Sequence, residues 1–242
     1  MAWRTATFNY SGLPKSGTQF FGRYLHVEHG AVIDPPGSSH EPATGGTWYG
    51  SIRPPWDWYG SWYNHALKTN GGGYVFAELL KEYGNGSTDF KDVLYGATHG
   101  VEISARPGVI WEAELPVGQG LWSRCVRHMY GPPWRASTLF ACDRAYDALE
   151  EAFGYVDRYR HPLKNTGARR YDRSSPDRIT DYRSWYTPEM LSWVADADAD
   201  LIALFGFEPF RPSPKALYSL TQEVPKCTSP CPTMSPPAKS LA

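Results

Sequence analysis

The sequence predicts an α/β domain with a mainly parallel central sheet. The 242-residue chain has 41% hydrophobic and 15% aromatic residues, which is enough apolar material for one large domain with a sizeable core. Short stretches rich in β-branched and aromatic residues alternate with amphipathic stretches, and there is no internal repeat. This alternation is typical of parallel strands that are connected by helices.

Five elements are predicted before residue 85. Stretches with alternating side-chain character indicate strands, whereas amphipathic stretches indicate helices. In chain order they are the strand Thr5–Ser11, the helix Thr18–Val27, the strand Gly46–Ile52, the helix Trp56–Leu67 and the helix Gly73–Gly84. The last helix ends at a glycine, which is a natural C-cap. The following stretch, 85–132, predicts no element.

Regular structure is predicted again in the second half. A strand, Ser137–Asp143, precedes a helix, Arg144–Gly154. Thr187–Phe207 predicts one long helix, because Thr187 is a good N-cap and is followed by proline and glutamate in the first turn. From residue 211 onward proline, serine and lysine dominate without periodicity. We therefore predict one domain over 1–210 and a disordered tail over 211–242.

Charge and composition exclude several functions. A net charge of -1, from 24 basic and 25 acidic residues, gives no general attraction to nucleic acid or to an anionic membrane. No apolar run approaches the roughly 20 residues of a membrane span, and the N-terminus lacks the apolar stretch of a secretory signal. The 4 cysteines are too few for a disulfide scaffold, and the pair Cys227 and Cys231 lacks the spacing of common zinc sites. These features predict a cytoplasmic protein without a metal site.

The segment "GLPKSGT" after the first predicted strand has the features of an anion-binding loop. Gly12 and Gly17 have the separation of the nucleotide-binding pattern G-x-x-x-x-G-K-[ST], but Thr18 stands where the lysine belongs. The lysine is Lys15, inside the loop. Backbone N–H groups and the N-terminus of the following helix attract phosphate, and Ser16 and Thr18 add hydroxyl donors. A lysine at this position is aimed at a single phosphate and at the group that leaves from it.

A second anion site is predicted after the second strand. Arg53 ends that strand, and Ser61 follows eight positions later on the second turn of the next helix. Since one helical turn is about 5.4 Å, the two side chains can converge on one anion. The planar guanidinium of arginine suits phosphate.

Both segments resemble the sulfotransferases that use 3′-phosphoadenosine 5′-phosphosulfate (PAPS). P-K-S-G-T after an N-terminal strand is their 5′-phosphosulfate loop, and an arginine with serine eight residues later is their 3′-phosphate motif. "RPPWDWYGSWY" (Arg53–Tyr63) is similar to the bacterial pattern R-N-P-W-D-W-Y-V-S-W-Y and departs from it at Pro54 and Gly60. The segment from Asp181 to Phe210 also resembles the closing segment of this group. The resemblance leaves out the region around 85–135, where members vary and where the acceptor usually binds.

The resemblance implies a three-layer α/β/α fold of the P-loop NTPase-like type and a set of PAPS-binding residues. Lys15 is expected to hold the 5′-phosphate and to stabilise the charge that develops on the bridging oxygen. Phe20 takes the position of a tryptophan that stacks on adenine, and Arg53 and Ser61 bind the 3′-phosphate. A basic loop is expected to cover the 3′-phosphate. The complete set is Pro14, Lys15, Ser16, Gly17, Thr18, Gln19, Phe20, Arg53, Ser61, Lys164, Arg169 and Arg170.

Sulfuryl transfer needs a base that removes the acceptor's proton, and histidine is the usual one. In the sulfotransferases that this chain resembles, the catalytic histidine precedes the arginine by twenty-odd residues. A proline-containing stretch follows the histidine. His29 fits, because it lies 24 positions before Arg53 and two prolines follow it. His99 lies in a T-H sequence like that of many members, but it follows the arginine motif instead of preceding it. The alternatives to His29 are His26, His40, His99 and Glu28.

The expected function is therefore a PAPS-dependent sulfotransferase. It transfers a sulfuryl group to a hydroxyl or amine of a small-molecule or carbohydrate acceptor by in-line displacement, without a metal, and releases adenosine 3′,5′-bisphosphate. Two alternatives stay open: a P-loop kinase or NTPase that uses the same loop, and a non-catalytic module that binds nucleotide or carbohydrate. The sequence specifies neither the acceptor nor the oligomeric state.

Overall fold

The computed structural model describes residues 2–33, 47–68, 76–104, 115, 118–131, 136–163 and 182–220. The strands are β1 (Ala2–Arg4), β2 (Phe8–Gly12), β3 (Val32–Ile33), β4 (Thr47–Ile52), β5 (Thr138–Ala141) and β6 (Leu217–Ser219). The helices are α1 (Thr18–His29), α2 (Pro55–Lys68), α3 (Phe76–Tyr83), α4 (Phe90–Thr98), α5 (Leu121–Tyr130), α6 (Ala145–Phe153), α7 (Pro188–Ala197) and α8 (Ala199–Phe205). Short 3-10 helices span Cys142–Arg144 and Tyr182–Trp185.

The six strands form one mixed sheet in the order β3-β1-β2-β4-β5-β6, which confirms the predicted α/β class. The three central strands, β2, β4 and β5, are parallel to one another. The pairings of β1 with β2, of β1 with β3 and of β5 with β6 are antiparallel. Parallel pairing is thus confined to the centre of the sheet in the described chain. None of the helices in the described ranges has the length and apolar character that a membrane span requires.

The first predicted strand, Thr5–Ser11, is in fact a turn followed by strand β2. The Thr5 hydroxyl accepts hydrogen bonds from the amides of Thr7 and Phe8 at 3.2 and 2.9 Å. These local bonds reverse the chain after β1, because a threonine side chain can replace the backbone partners of a turn. The result is a hairpin that places β1 antiparallel to β2, and β3 pairs with β1 at the edge of the sheet.

The predicted helix Thr187–Phe207 is broken into α7 and α8 at Asp198. Its predicted start is confirmed, since the Thr187 hydroxyl accepts a hydrogen bond from the Met190 amide at 3.3 Å. Asp198 is fully buried, and its carboxylate accepts a hydrogen bond from the Ser123 amide at 3.0 Å. The break therefore places a carboxylate at the N-terminus of α5, a role that the local sequence of α7 does not reveal.

Two further boundaries differ from the sequence prediction. The stretch 85–132, for which no element was predicted, contains α4 and α5. Strand β6 lies beyond residue 210, where we had placed the end of the domain, and the Ser213 hydroxyl and amide both donate to the Asp143 carboxylate at 2.7 Å. The domain thus continues at least to residue 220, and 221–242 lie outside the described residues.

Two hydrophobic clusters form the core. The larger one contains buried residues of α2, α3, α4, α5, α7 and α8, and the smaller one contains buried residues of α1 and α6. Leu139 of β5 belongs to the larger cluster and its neighbour Phe140 to the smaller one. Because successive strand residues point to opposite faces of a sheet, β5 contributes to both clusters.

Candidate functional site

The carboxyl ends of the three parallel strands lie side by side at one edge of the sheet. Gly12 of β2 is paired with Ser51 of β4, and Ile52 of β4 is paired with Ala141 of β5. Ligands of α/β proteins commonly bind outside this edge. Three segments begin there: Leu13–Gly17, which we call the α1 loop, Arg53–Pro54, and the 3-10 helix Cys142–Arg144.

The α1 loop turns sharply into helix α1. Lys15 and Gly17 both have left-handed backbone conformations, with φ angles of 67° and 78°. The Ser16 amide and the Thr18 hydroxyl each donate to the Leu13 carbonyl at 3.0 Å. The left-handed conformation costs a residue such as lysine about 1–2 kcal/mol. Strain of this kind is concentrated at ligand-binding sites.

The N-terminus of α1 offers polar groups to an anion. Gly17 occupies the N-cap position and no side chain makes a capping hydrogen bond there, so the first N–H groups of the helix have no intrahelical partner. The Ser16 hydroxyl is fully buried and makes no hydrogen bond within the described chain. Buried hydroxyls are nearly always paired. An anion at this point satisfies both sets of donors and is attracted by the helix dipole.

Tyr130, at the end of α5, holds the start of the α1 loop. Its buried hydroxyl accepts hydrogen bonds from the amides of Leu13 and Ser51 at 2.7 and 3.1 Å. The same oxygen lies 2.9 Å from the carbonyl oxygens of Ser11 and Ser51. Burial raises the pKa of Tyr130, so its hydroxyl stays protonated and donates to one of these carbonyls. One side chain therefore fixes the ends of β2 and β4 relative to each other.

Helix α2 is attached to the α1 loop through Trp58. The indole Nε1 of this buried tryptophan donates to the Pro14 carbonyl at 2.7 Å. Trp58, Ser61 and His65 follow one another at spacings of three and four, so they lie on one face of α2. Ser61 and His65 are half-buried. Trp58, on the first turn of α2, is thus the residue of this face that contacts the loop.

Cys142 connects the two predicted phosphate motifs. The Arg53 guanidinium donates to the Cys142 sulfur, with 3.3 Å between Nη2 and Sγ. Gly17 also lies close to this sulfur, since a Cβ atom at Gly17 would stand 3.0 Å from Sγ. The positive φ and the close approach of Cys142 both favour glycine at this position. The end of the α1 loop and the Arg53 side chain are thus close to the same atom.

The guanidinium of Arg53 is half-buried among polar groups. Burial lowers its pKa, but Cys142, Tyr182 and Asp57 raise that pKa by more, so Arg53 is charged. The Asp57 carboxylate accepts a hydrogen bond from the Tyr182 hydroxyl at 2.8 Å. Ser61 lies one turn further along α2 than Asp57 and is half-buried. Arg53 and Ser61 thus present donors close to the start of α2.

His65 lies within the electrostatic field of Lys15. Burial, with the Lys15 charge as the second cause, lowers the pKa of His65 to about 4. An imidazole with this pKa is neutral at physiological pH and can accept a proton. His65 did not appear among the bases predicted from the sequence.

The structure does not bring His29, the predicted base, to this site. Helix α1 has 12 residues, so it is about 18 Å long; Thr18 begins it beside the loop and His29 ends it. The His29 ring packs against Phe8 and Phe153, with centroid distances of 5.6 and 4.6 Å. His29 has the expected spacing to Arg53 along the chain, but helix α1 places it at the end opposite to the loop that contains Lys15.

Three of the alternative bases have structural contacts. The Nδ1 atom of His26 lies 2.7 Å from the Ala31 carbonyl oxygen, and His99 stacks on Tyr95 with 3.8 Å between ring centroids. The Glu28 carboxylate contacts two basic side chains that follow α6, at 2.6 and 3.2 Å. Each of these groups therefore contributes to local packing or charge pairing.

The remaining predicted residues are only partly within the described chain. Phe20 is half-buried on the first turn of α1, and its ring contacts Tyr146 edge-on with 5.6 Å between centroids. Gln19 is exposed beside it. The predicted residues His40, Lys164, Arg169 and Arg170 lie outside the described residues.

Sequence reasoning missed Tyr130, Cys142 and His65. The hydrogen bond from Leu13 to Tyr130 joins residues 117 positions apart, and that from Arg53 to Cys142 joins residues 89 apart. No local pattern carries such contacts. His65 had one usable signal, since it follows Ser61 by one helical turn.

Within the described ranges, no group of three or more His, Cys, Asp or Glu side chains is arranged to hold a metal ion. No protein-family model matches the chain, and no curated protein or solved structure is significantly similar to it.

Proposed function

We propose that the chain is a sulfotransferase that binds PAPS at the carboxyl edge of β2, β4 and β5. The observation that carries the proposal is that Gly17 and the Arg53 guanidinium both lie close to the Cys142 sulfur. This contact puts the two predicted anion sites next to each other. Adenosine 3′,5′-bisphosphate carries two phosphates on one ribose, so a ligand of this class needs two adjacent anion sites.

The chemistry of the α1 loop favours a bound phosphate. The uncapped N-terminus of α1 attracts negative charge, whereas a cation there is unfavourable. Lys15 stands beside this positive helix end, and an anion between them offsets both charges. The buried Ser16 hydroxyl supplies a further donor. Lys15, Ser16, Gly17 and Thr18 are thus proposed to hold the 5′-phosphate, and Arg53 with Ser61 the 3′-phosphate.

The finer fold assignment is part of the same proposal. The contribution of β5 to both hydrophobic clusters supports a three-layer α/β/α arrangement, and the strand–loop–helix unit β2–α1 supports a P-loop-like fold. The PAPS donor supplies an activated sulfuryl group. Lys15 and the loop N–H groups act as preorganised positive charge at the phosphate from which that group departs. Positioning and electrostatic stabilisation are therefore the main contributions of the protein.

The test is transfer of labelled sulfate from PAPS to a phenol (4-nitrophenol) and to an amino sugar (glucosamine). We expect Lys15→Ala to lower the transfer rate about 100- to 1,000-fold, as removal of one such donor does in other enzymes. Lys91→Ala is the matched control, because Lys91 is exposed and pairs with Glu189 at 3.5 Å. Thermal unfolding checks that both variants are folded. Equal transfer by Lys15→Ala and the wild type would overturn the proposal.

Calorimetry separates this function from the two alternatives. We expect adenosine 3′,5′-bisphosphate to bind at least tenfold more tightly than magnesium-ATP, because Arg53 provides a second phosphate site. Tighter binding of magnesium-ATP indicates a kinase or NTPase instead. Binding of the bisphosphate without transfer to either acceptor indicates a non-catalytic module.

A further inference from the structure

Helix α5 contains a buried arginine whose N–H groups are not all paired. Arg124 is 2% exposed, and its helical neighbours Leu121 and Cys125 are fully buried members of the larger hydrophobic cluster. Neither Nε nor Nη2 of its guanidinium makes a hydrogen bond within the described chain. Charged side chains are almost never fully buried unless they are paired. Arg124 therefore needs a partner.

Two acidic side chains contact α5, but both have other partners. Asp200 forms an ion pair with Arg127. Asp198 accepts hydrogen bonds from the Ser123 amide at 3.0 Å and from the Tyr59 hydroxyl at 3.1 Å. Arginine does not lose its proton in proteins, and a buried charge without a partner is strongly destabilising. The charge of Arg124 is thus left for an anion from solution.

The unpaired atoms have the arrangement that an oxyanion requires. Nε and Nη2 lie on one edge of the planar guanidinium, where their two N–H groups can donate in parallel to two oxygens of a carboxylate, phosphate or sulfate. Arg127 follows by three residues, a spacing that places its Cβ about 5–6 Å from that of Arg124. Its Nε is also buried and without a hydrogen bond in the described ranges. The unpaired groups are therefore all donors.

The surface of the protein lies within one helical turn of Arg124. His128, four residues later on α5, is exposed, and the Arg127 side chain is 25% exposed. Residues three and four apart are neighbours on the surface of a helix. An ion therefore has a short path from solvent to the buried guanidinium.

We propose that Arg124 forms an oxyanion-binding site on α5. Two oxygens of a carboxylate, phosphate or sulfate group accept hydrogen bonds from Nε and Nη2 of Arg124, and the Nε of Arg127 donates to the same group. Arg124 precedes Tyr130, the residue of α5 that contacts the α1 loop, by about 9 Å along the helix axis. The site is thus separate from the proposed phosphate sites and does not depend on sulfuryl transfer.

NMR titration of the wild-type chain tests the site directly. The Arg124 Nε–H signal, assigned through bonds from its own backbone, is followed with sodium sulfate, sodium formate and sodium chloride. We expect sulfate and formate to shift this signal to saturation, and chloride to bind at least about tenfold more weakly because one spherical ion does not match two parallel donors. The Arg158 Nε–H is the internal control, because it donates to Glu150 at 3.3 Å.

The two oxyanions distinguish the sources of the ligand. Tighter binding of formate supports the carboxylate of an organic acid, and tighter binding of sulfate supports a tetrahedral group such as phosphate or sulfate. An Arg124 signal that neither oxyanion shifts, or that chloride shifts with equal affinity, overturns the proposal.

Thermal unfolding tests the same site through stability. We expect about 20 mM sodium sulfate to raise the Tm of the wild type by about 3–6 °C relative to sodium chloride of equal ionic strength, because the ion binds the folded chain. Arg124→Met should lose most of this rise, whereas Arg158→Met, which changes an exposed arginine, should keep it. Equal rises in Arg124→Met and the wild type overturn the proposal. The NMR titration needs no variant, so it decides the question even if Arg124→Met does not fold.

Discussion

The N-termini of helices α1 and α5 differ in the protein groups that surround them. At α5 the chain supplies its own anion. Asp198 accepts a hydrogen bond from the Ser123 amide at 3.0 Å, and the Tyr59 hydroxyl accepts one from the Trp122 amide at 3.1 Å while donating to Asp198 at 3.1 Å. The Gly120 amide donates to the Ala197 carbonyl at 3.2 Å. Protein groups therefore accept hydrogen bonds from three N–H groups at the positive end of α5.

At α1 the arrangement is reversed. No side chain caps the helix, the Ser16 hydroxyl is buried without a partner in the described chain, and the charged residue of the loop is a lysine. The comparison shows what a helix N-terminus looks like in this protein when it has only a structural role. The difference at α1 is the physical basis for assigning a ligand anion there.

The largest expected effect comes from removal of the internal anion. We expect Asp198→Ala to lower the free energy of unfolding by about 4 kcal/mol, because it removes a helix cap and leaves buried N–H groups unpaired. Urea denaturation measures this change. Asp196→Ala is the matched control, because Asp196 lies two residues before Asp198, at the end of α7, and is exposed. If Asp198→Ala lowers the free energy of unfolding by less than 1 kcal/mol, the Asp198 carboxylate does not stabilise the N-terminus of α5. The comparison with α1 would then no longer support a bound anion at α1.

The second effect is a pH dependence of stability that Asp198 introduces. Burial raises the pKa of Asp198 to about 6, against an unfolded value of 3.8, so the folded chain binds this proton more tightly. The contribution of Asp198 to stability is therefore greatest below pH 4, falls as the pH rises to about 6, and is constant above that. The whole change is about 3 kcal/mol.

This prediction is measured as a difference between two proteins. His65, whose folded pKa is lowered, acts in the opposite direction over much of the same range, since its contribution rises with pH. Asp198→Asn keeps an oxygen for the Ser123 amide and removes the titration. We expect the stability difference between the wild type and Asp198→Asn to change between pH 4 and pH 6.5. A constant difference would contradict the assignment of a raised pKa to Asp198.

Sequence reasoning succeeded where neighbouring residues determine the structure. Helix α1 was predicted from Thr18 onward because a glycine loop precedes an amphipathic stretch, and α2 because aromatic residues recur at helical spacing. The break at Asp198 could not be predicted, since it depends on a contact with Ser123, 75 positions away. Alone, the sequence "DADADL" favours an uninterrupted helix, because no glycine or proline interrupts it.

The candidate site shows the same division. The α1 loop and Arg53 were recognised because each motif is local and follows a strand. The choice of His29 relied on its distance from Arg53 along the chain, which does not specify the direction in which α1 carries it. Cys142 and His65 acquire their relation to the loop only through the packing of β5 and α2. The local elements of the proposed anion sites were thus predictable, whereas the groups that pack around them were not.

The smallest expected effect distinguishes the two proposed phosphate sites from each other. Arg53→Met removes the guanidinium while keeping a chain that fits the half-buried position. We expect the affinity for adenosine 3′,5′-bisphosphate to fall about 10- to 100-fold, which corresponds to about 1.4–2.8 kcal/mol for a charge-assisted contact. The affinity for adenosine 5′-monophosphate should change less than threefold, because its phosphate is bound by the α1 loop.

Calorimetry with both nucleotides measures this selectivity, and Arg158→Met serves as the control, since Arg158 is exposed and pairs with Glu150 at 3.1 Å. Equal losses for the two nucleotides would mean that Arg53 supports the α1 loop through Cys142 and does not contact the 3′-phosphate. Cys142→Ala then becomes informative, because it removes the sulfur that lies close to both Gly17 and Arg53. If Arg53 binds phosphate directly, Cys142→Ala should leave the preference for the bisphosphate intact, since the guanidinium and the helix N-terminus both remain.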